Sequence, residues 1–253
     1  MKEVIAFDLD GTLAESKSRA DRDVIFWIRK LVQEYKVAII TGGTFDQIQR
    51  QFLSELDDWC RNDDPLLKQF YLLPTSGAIL YEHQFYKSWK QIYQNYLSPD
   101  EVSKIYAAFY RAIVKTSFPM PQIYGNHIEN RKTQITFSAL GQEAPVELKE
   151  KWDPGKQKRQ AIIKELQGEL EEFEIRYGGT TSIDVTHKGI DKAFGMNKLM
   201  EHLSIDKSDV LFIGDALREG GNDYPVKAMG IECIAVSSIE DTVKVIKKLY
   251  MSS

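Results

Sequence analysis

The sequence predicts an α/β protein in which a mostly parallel sheet, covered by helices on both faces, is interrupted by an inserted α+β domain with an antiparallel sheet. Three observations carry this prediction. Apolar runs at Val4 to Ala6, Val37 to Ile40 and Val210 to Ile213 each lead into small, hydroxyl or acidic residues, the pattern of buried parallel strands whose carboxyl ends face a ligand. Stretches of helical spacing separate these runs at both ends of the chain. The middle instead alternates apolar and polar residues, as half-buried antiparallel strands do.

Taken in order, the opening strand runs into Phe7-Asp8-Leu9-Asp10-Gly11-Thr12. From Asp21 to Tyr35, Val24, Ile25, Ile28, Leu31 and Val32 recur at helical spacing, and the strand from Val37 completes a β-α-β unit. A second helix is expected from Thr44 to about Leu56, with Phe45, Ile48, Phe52 and Leu56 on one face. Tyr71 to Leu73 reads as a third strand closed by the turn Thr75-Ser76-Gly77. In the middle, Tyr81 to Trp89 reads as a hairpin, Pro99 to Lys115 as a helix and Gln134 to Ala139 as an alternating strand. Lys156 to Leu166 follows as a polar helix, and Glu174 to Tyr177 and Ser182 to Thr186 as two strands separated by Gly178-Gly179. The α/β texture then returns with a helix at Ala193 to Leu203, strands at Val210 to Ile213 and Cys233 to Val236, and a closing helix at Thr242 to Tyr250. Crossings near residues 83 and 187 divide the chain into a core, 1–82 and 188–253, and an insert, 83–187.

Composition narrows the function classes. A chain of 253 residues can bury a substantial core. With 33 basic and 37 acidic residues the formal charge is -4, which offers no general attraction for a nucleic-acid backbone. The charge run from Lys149 to Lys158 reads as a solvated helix face or loop. Cys60 and Cys233 have no metal-ligand spacing, and His83, His127, His187 and His202 form no zinc motif. No basic leader and no membrane-length apolar run is seen, so a reducing cytoplasm is the expected location and no membrane partner is expected.

The chemistry-bearing residues cluster at strand ends. Asp8 and Asp10 are one residue apart, and alternation in the extended chain puts their side chains on one side. Such a carboxylate pair is an acceptable neighbourhood only with a cation nearby, and a hard divalent ion with oxygen ligands, Mg2+, meets that need and orients a phosphate oxygen. Gly11 permits the tight turn that faces backbone amides toward a phosphate. Thr41, Gly42 and Gly43 after the second strand, and Gly214 and Asp215 after the later one, are placed to converge on the same rim.

Asp8 to Thr12, Thr41, Lys192 in Gly189-Ile190-Asp191-Lys192, and Gly214-Asp215 with Gly220-Gly221-Asn222-Asp223 together resemble the four motifs of the haloacid dehalogenase (HAD) superfamily of phosphotransferases. Within it the chain resembles the large-cap subclass IIB and the eukaryotic-type phosphomannomutase branch, through Ile128-Glu129-Asn130-Arg131, Gly178-Gly179, Ser182-Ile183-Asp184-Val185 and the double glycine before Asn222-Asp223. The resemblance implies a Rossmann-like core with the insert as a cap that chooses the substrate. It implies Asp8 as nucleophile, Asp10 as general acid and base, Thr41 as a phosphate donor and Lys192 as the balancing charge. Mg2+ is then held by Asp8, the Asp10 backbone carbonyl and Asp215, while Asp223 and Asn222 steady that loop and reach phosphate or metal-bound water, with Asn222 among the substrate-binding groups, and Lys188 is the second choice for the lysine. Arg131, Gln142, Ser182 and Asp184 are the cap groups that would meet a sugar phosphate, with Gly42 and Gly43 at the phosphate. A homodimer through the cap is also implied.

The chain departs from the mutase pattern where arginines are expected. Gly141-Gln142 stands in place of Gly-Arg, and Ser16-Lys17-Ser18 replaces an arginine near the first motif. A mutase must grip a second phosphate, usually with bidentate arginine, and here only Arg131, with Lys149 or Lys17, remains for that. The expected activity is therefore a Mg2+-dependent phosphatase on a small phosphorylated metabolite, a sugar phosphate, with a phosphomutase as the alternative and a catalytically silent binding protein as the third reading.

Overall fold

A computed structural model describes residues 2–59, 65–84, 88–119 and 122–252; Cys60 lies outside them. Its strands are β1 (Val4–Phe7), β2 (Lys36–Ile40), β3 (Phe70–Leu73), β4 (Ile79–Gln84), β5 (Ser88–Gln94), β6 (Ile128–Asn130), β7 (Gln134–Ser138), β8 (Phe173–Tyr177), β9 (Ser182–His187), β10 (Val210–Gly214) and β11 (Glu232–Ala235). The chain divides into two compact units, one of residues 1–94 and 190–253 and the other of 95–189. No helix among the described residues is long and apolar enough to cross a membrane.

The first unit is built on a seven-stranded sheet in the order β11-β10-β1-β2-β3-β4-β5. The five strands from β11 to β3 are parallel, and β4 and β5 close the far edge antiparallel. Alternation along β1 sends Ile5 and Phe7 into one core, with Val24, Ile25, Ile28 and Leu31 of the helix Arg22–Leu31, and sends Val4 and Ala6 into the other, with Met196 and Leu199 of the helix Lys192–Leu203. Burial on both faces is why these strands read as unbroken apolar runs.

The second unit carries a four-stranded antiparallel sheet, β6-β7-β9-β8. Ile135 and Phe137 of β7 and Ile183 and Val185 of β9 pack against Ile105, Ala108 and Phe109 of the helix Pro99–Thr116 and Ile162 and Leu166 of the helix Gln157–Gln167. Ser98 starts the first of these helices with a full capping box to Glu101. The opposite face of the sheet bears Gln134, Thr136, Ser138, Ser182 and Asp184.

Two sequence expectations change. The crossing expected near 83 falls inside β4, and the hairpin belongs to the first unit because β3 pairs with it, Tyr71 opposite Glu82 and Leu72 opposite Tyr81. Its aromatics hold it there, with the ring of Phe45 4.7 Å from Tyr81 and 6.4 Å from Trp89. The charge run from Lys149 is not wholly solvated either: Asp153 within it is buried in an ion pair with Arg159.

Candidate active site

Parallel register brings the motif residues to one rim. Phe7 pairs with Ile39 on one side and Ile213 on the other, so Asp8, Thr41 and Asp215 all emerge within two residues of that line. The Asp8 N–H continues the ladder to the Ile213 carbonyl at 3.0 Å. The chain then turns tightly, with the Leu9 carbonyl accepting from the amides of Thr12, Leu13 and Ala14. Gly11 is required twice over: its φ of 85° favours glycine, and a Cβ there would lie 2.7 Å from Asp215 Oδ2.

Lys192 enters from the amino end of its helix, whose cap is made by Asp191 accepting from the Phe194 N–H at 3.0 Å. Its ammonium is 1% exposed and donates to Asp8 Oδ1 and, at 2.6 Å, to Asp223 Oδ1. The other oxygen of Asp223 accepts from the Ala216 N–H at 3.0 Å, which ties the loop after β10 to the same group. Gly214 leaves room for this, since a Cβ there would lie 2.4 Å from Asp223 Oδ2.

Asp8, Asp215 and Asp223 present carboxylate oxygens within 4.8 Å of one another. Burial pushes the Asp8 carboxyl up to about 7, against the pull of Lys192, and the charge of Asp223 adds to the rise. Desolvation, then the charge of Asp223, also raises Asp215. Burial alone would lower the Lys192 ammonium, but its two carboxylate partners outweigh that and raise it. Three oxygen-donor acids with one ammonium leave negative charge uncompensated, and a hard divalent cation fits that donor set.

Asp10 stands apart from this group. Its carboxylate accepts from the Lys17 N–H at 2.9 Å, from Gln47 Nε2 at 2.9 Å and from Gln51 Nε2 at 3.0 Å. Thr41 is buried, and its Oγ1 accepts from the Gly43 N–H at 3.1 Å, leaving the hydroxyl proton available beyond the turn. Asn222 is exposed and makes no side-chain hydrogen bond to another described residue.

In the second unit, Arg131 donates through Nε to Glu129 at 2.7 Å. Asp184 accepts from the Thr136 hydroxyl at 2.7 Å, and loss of solvent raises its carboxyl although Thr136, Arg131 and Gln134 pull the other way. Gln142 holds its place through its backbone, with its N–H on Asn126 and its carbonyl taking Lys149 Nζ at 2.8 Å, while Nε2 has no partner among the described residues. Ser182 lies opposite Ser138 in the sheet, and Lys188 is exposed beside Glu171 and Glu174.

The sequence expectation puts Asp223 at the Asp215 loop with reach to phosphate or metal-bound water but not on Lys192, and it contains neither Gln47 nor Gln51. The available signal for the glutamines was their spacing of four on the helix that follows Thr41-Gly42-Gly43, at the polar edge of its apolar stripe.

A family profile described as haloacid dehalogenase-like hydrolase matches residues 5–248. Phosphomannomutase 1 of Mus musculus is 27% identical over 96% of this chain and 90% of its own length. The phosphomannomutase of Arabidopsis thaliana is likewise 27% identical, over 98% and 97%. Among solved structures, the N-terminally truncated IMP-nucleotidase of Plasmodium falciparum superposes with a TM-score of 0.73 at 18% identity, covering 98% of this chain and 70% of that one.

Proposed function

The chain belongs to the haloacid dehalogenase-like hydrolase family, and from that premise we propose that it is a Mg2+-dependent phosphatase that acts through an aspartyl phosphate on a small sugar phosphate. The observation that carries this reading is Lys192 buried between Asp8 and Asp223 at the strand ends. An ammonium fixed there pulls Asp8 toward its carboxylate form against burial and offsets charge on the transferring phosphoryl oxygens.

In the first half-reaction an Asp8 oxygen attacks phosphorus, the bond from phosphorus to the sugar oxygen breaks, and Asp10 gives that oxygen its proton. In the second, water attacks the phosphoryl group and passes a proton to Asp10. The bond to Asp8 breaks, and inorganic phosphate leaves. The Thr41 hydroxyl donates to a phosphoryl oxygen. Mg2+ would be held by Asp8, Asp215 and the Asp10 backbone carbonyl, with Asp223 in the same acidic group, and when bound it neutralises phosphate charge. The second unit acts as the cap, where Ser182, Asp184 and Gln142 meet sugar hydroxyls.

Hydrolysis is preferred to phosphoryl return because the second anion clamp is weak: Arg131 is occupied by Glu129, and Gln142 is neutral. The phosphomannomutase relatives, matched over nearly their full length, favour phosphomutase as the second reading. Mg2+-dependent hydrolysis of 4-nitrophenyl phosphate and of members of a sugar-phosphate panel, lost in Asp8→Asn, is the expected result. Conversion of mannose 1-phosphate to the 6-phosphate, stimulated by a sugar bisphosphate, would replace it with the mutase. Silence across the panel would leave a binding protein.

A further inference from the structure

Resting on that assignment of Asp10 to proton transfer, we infer that Gln47 and Gln51 are positioning residues that aim the Asp10 carboxyl at the leaving-group oxygen. Both carboxylate oxygens are engaged by side chains, Oδ2 by Gln47 at 2.9 Å and Oδ1 by Gln51 at 3.0 Å, and Oδ1 also accepts from the Lys17 N–H at 2.9 Å. Two donors on different oxygens fix the plane of the carboxyl as well as its place, which a single contact cannot do. Neither partner carries a charge. An amide also offers both a donor and an acceptor, so it can hold a carboxyl that gives up a proton and takes one back within a cycle.

Gln51 is built into its place. It is 3% exposed, and its Nε2 also reaches the Glu15 carbonyl at 3.4 Å. Its Oε1 is buried with no partner among the described residues, an acceptor held beside the group that carries the proton. The helix here contains a π-helical turn, Gln49–Leu53, between the α-helical stretches Phe45–Ile48 and Ser54–Trp59. Such a turn shifts the backbone pairing and frees a carbonyl, and the Gln51 carbonyl accepts from the Ala20 N–H at 2.7 Å. Gln51 therefore ties the helix to both ends of the Glu15–Ala20 loop while its side chain holds Asp10. Gln47 reaches Asp10 across Gly43, where a Cβ would lie 2.2 Å from Gln47 Oε1.

The test is leaving-group dependence in the full chain with Mg2+, using 4-nitrophenyl phosphate, whose leaving group departs without a proton, and phenyl phosphate, whose leaving group is more basic. In Gln51→Leu and Gln47→Leu, kcat/KM should fall about tenfold more on phenyl than on 4-nitrophenyl phosphate, a partial loss of general-acid catalysis. Asp10→Asn should show the same bias more strongly. A merely structural role would lower both substrates together, and that outcome, or no loss in folded variants, overturns the inference. Gln47→Leu keeps it testable if Gln51→Leu does not fold by circular dichroism. If Asp10→Asn shows the bias and the glutamine variants do not, the inference fails while the assignment of Asp10 stands; if Asp10→Asn shows none, the assignment of Asp10 to proton transfer falls and the inference with it, while Mg2+-dependent hydrolysis lost in Asp8→Asn still supports the phosphatase.

Discussion

Asp153 with Arg159 in the second unit, and Asp8 with Lys192 and Asp223 in the first, are all charged side chains nearly removed from water, yet their charges are arranged in opposite ways. The first pair is balanced and saturated. Asp153 accepts from Arg159 Nε at 2.9 Å and from the backbone amides of Lys158 and Arg159 at 3.0 and 3.2 Å, while Arg159 Nη1 reaches the Gly179 carbonyl at 2.6 Å. Burial pushes the Asp153 carboxyl up, but the hydrogen bonds from Arg159 and the two amides more than cancel it and hold it below the usual range. The other cluster keeps three carboxylates for one ammonium, and Asp8 and Asp215 are both pushed up. A closed ion pair fixes a fold, whereas a cluster left short of positive charge suits a cation.

The sharpest way to break this contrast is to neutralise the acid in each. Asp8→Asn should cut aryl phosphate turnover by roughly 10^5-fold, the scale of losing a nucleophile. Asp153→Asn should leave turnover per folded molecule unchanged. A Mg2+-dependent steady-state rate surviving in Asp8→Asn would show that the uncompensated cluster is not the reacting one.

Removing the cation is the next largest step. Lys192→Met should lower kcat by about 10^2 to 10^3-fold with little change in KM, because its charge is needed most when phosphoryl charge develops. Arg159→Met should leave kcat per folded molecule unchanged while costing about 3 to 5 kcal/mol of stability in denaturant melts, since it strands a buried carboxylate. Equal effects of the two substitutions on kcat would erase the distinction.

How far each cluster is legible in the chain follows from its geometry. Short apolar runs ending at Asp8, Thr41 and Gly214-Asp215 make the parallel rim readable, because strands buried on both faces read as unbroken apolar runs and their carboxyl ends stand out where polar residues begin. The polar face of β7 and β9 shows in the alternation of Gln134, Thr136 and Ser138 with Ile135 and Phe137. Asp223 is different: it follows an irregular loop, and nothing periodic predicts its carboxylate on Lys192. Asp153 lies in a run that looks solvated and Arg159 just beyond it, and the Gly179 carbonyl and the Tyr177 ring, some twenty residues on, complete their surroundings. The sequence does not tell which unit holds the β4–β5 hairpin, because half-buried antiparallel alternation looks alike at the edge of one sheet and in the middle of another.

The smallest effects lie in the pH dependence of stability, where the two acids should run in opposite directions. The depressed Asp153 carboxyl stabilises the fold above its unfolded value, about 4. That contribution is lost as pH falls through the lower folded value. The gap in melting temperature between the protein and Asp153→Asn should therefore be full at neutral pH and shrink in acid. For Asp8 the folded carboxyl is raised from 3.8 to about 7, so without metal its ionisation in the unfolded chain favours unfolding as pH climbs between those values. Asp8→Asn should thus gain nothing near pH 4 and melt higher than the metal-free parent at pH 7 and above. Adding Mg2+ should reverse this advantage, because only the parent keeps the full set of carboxylates that a cation would stabilise. Parallel pH profiles for the two variants would mean that both acids are held in the same way.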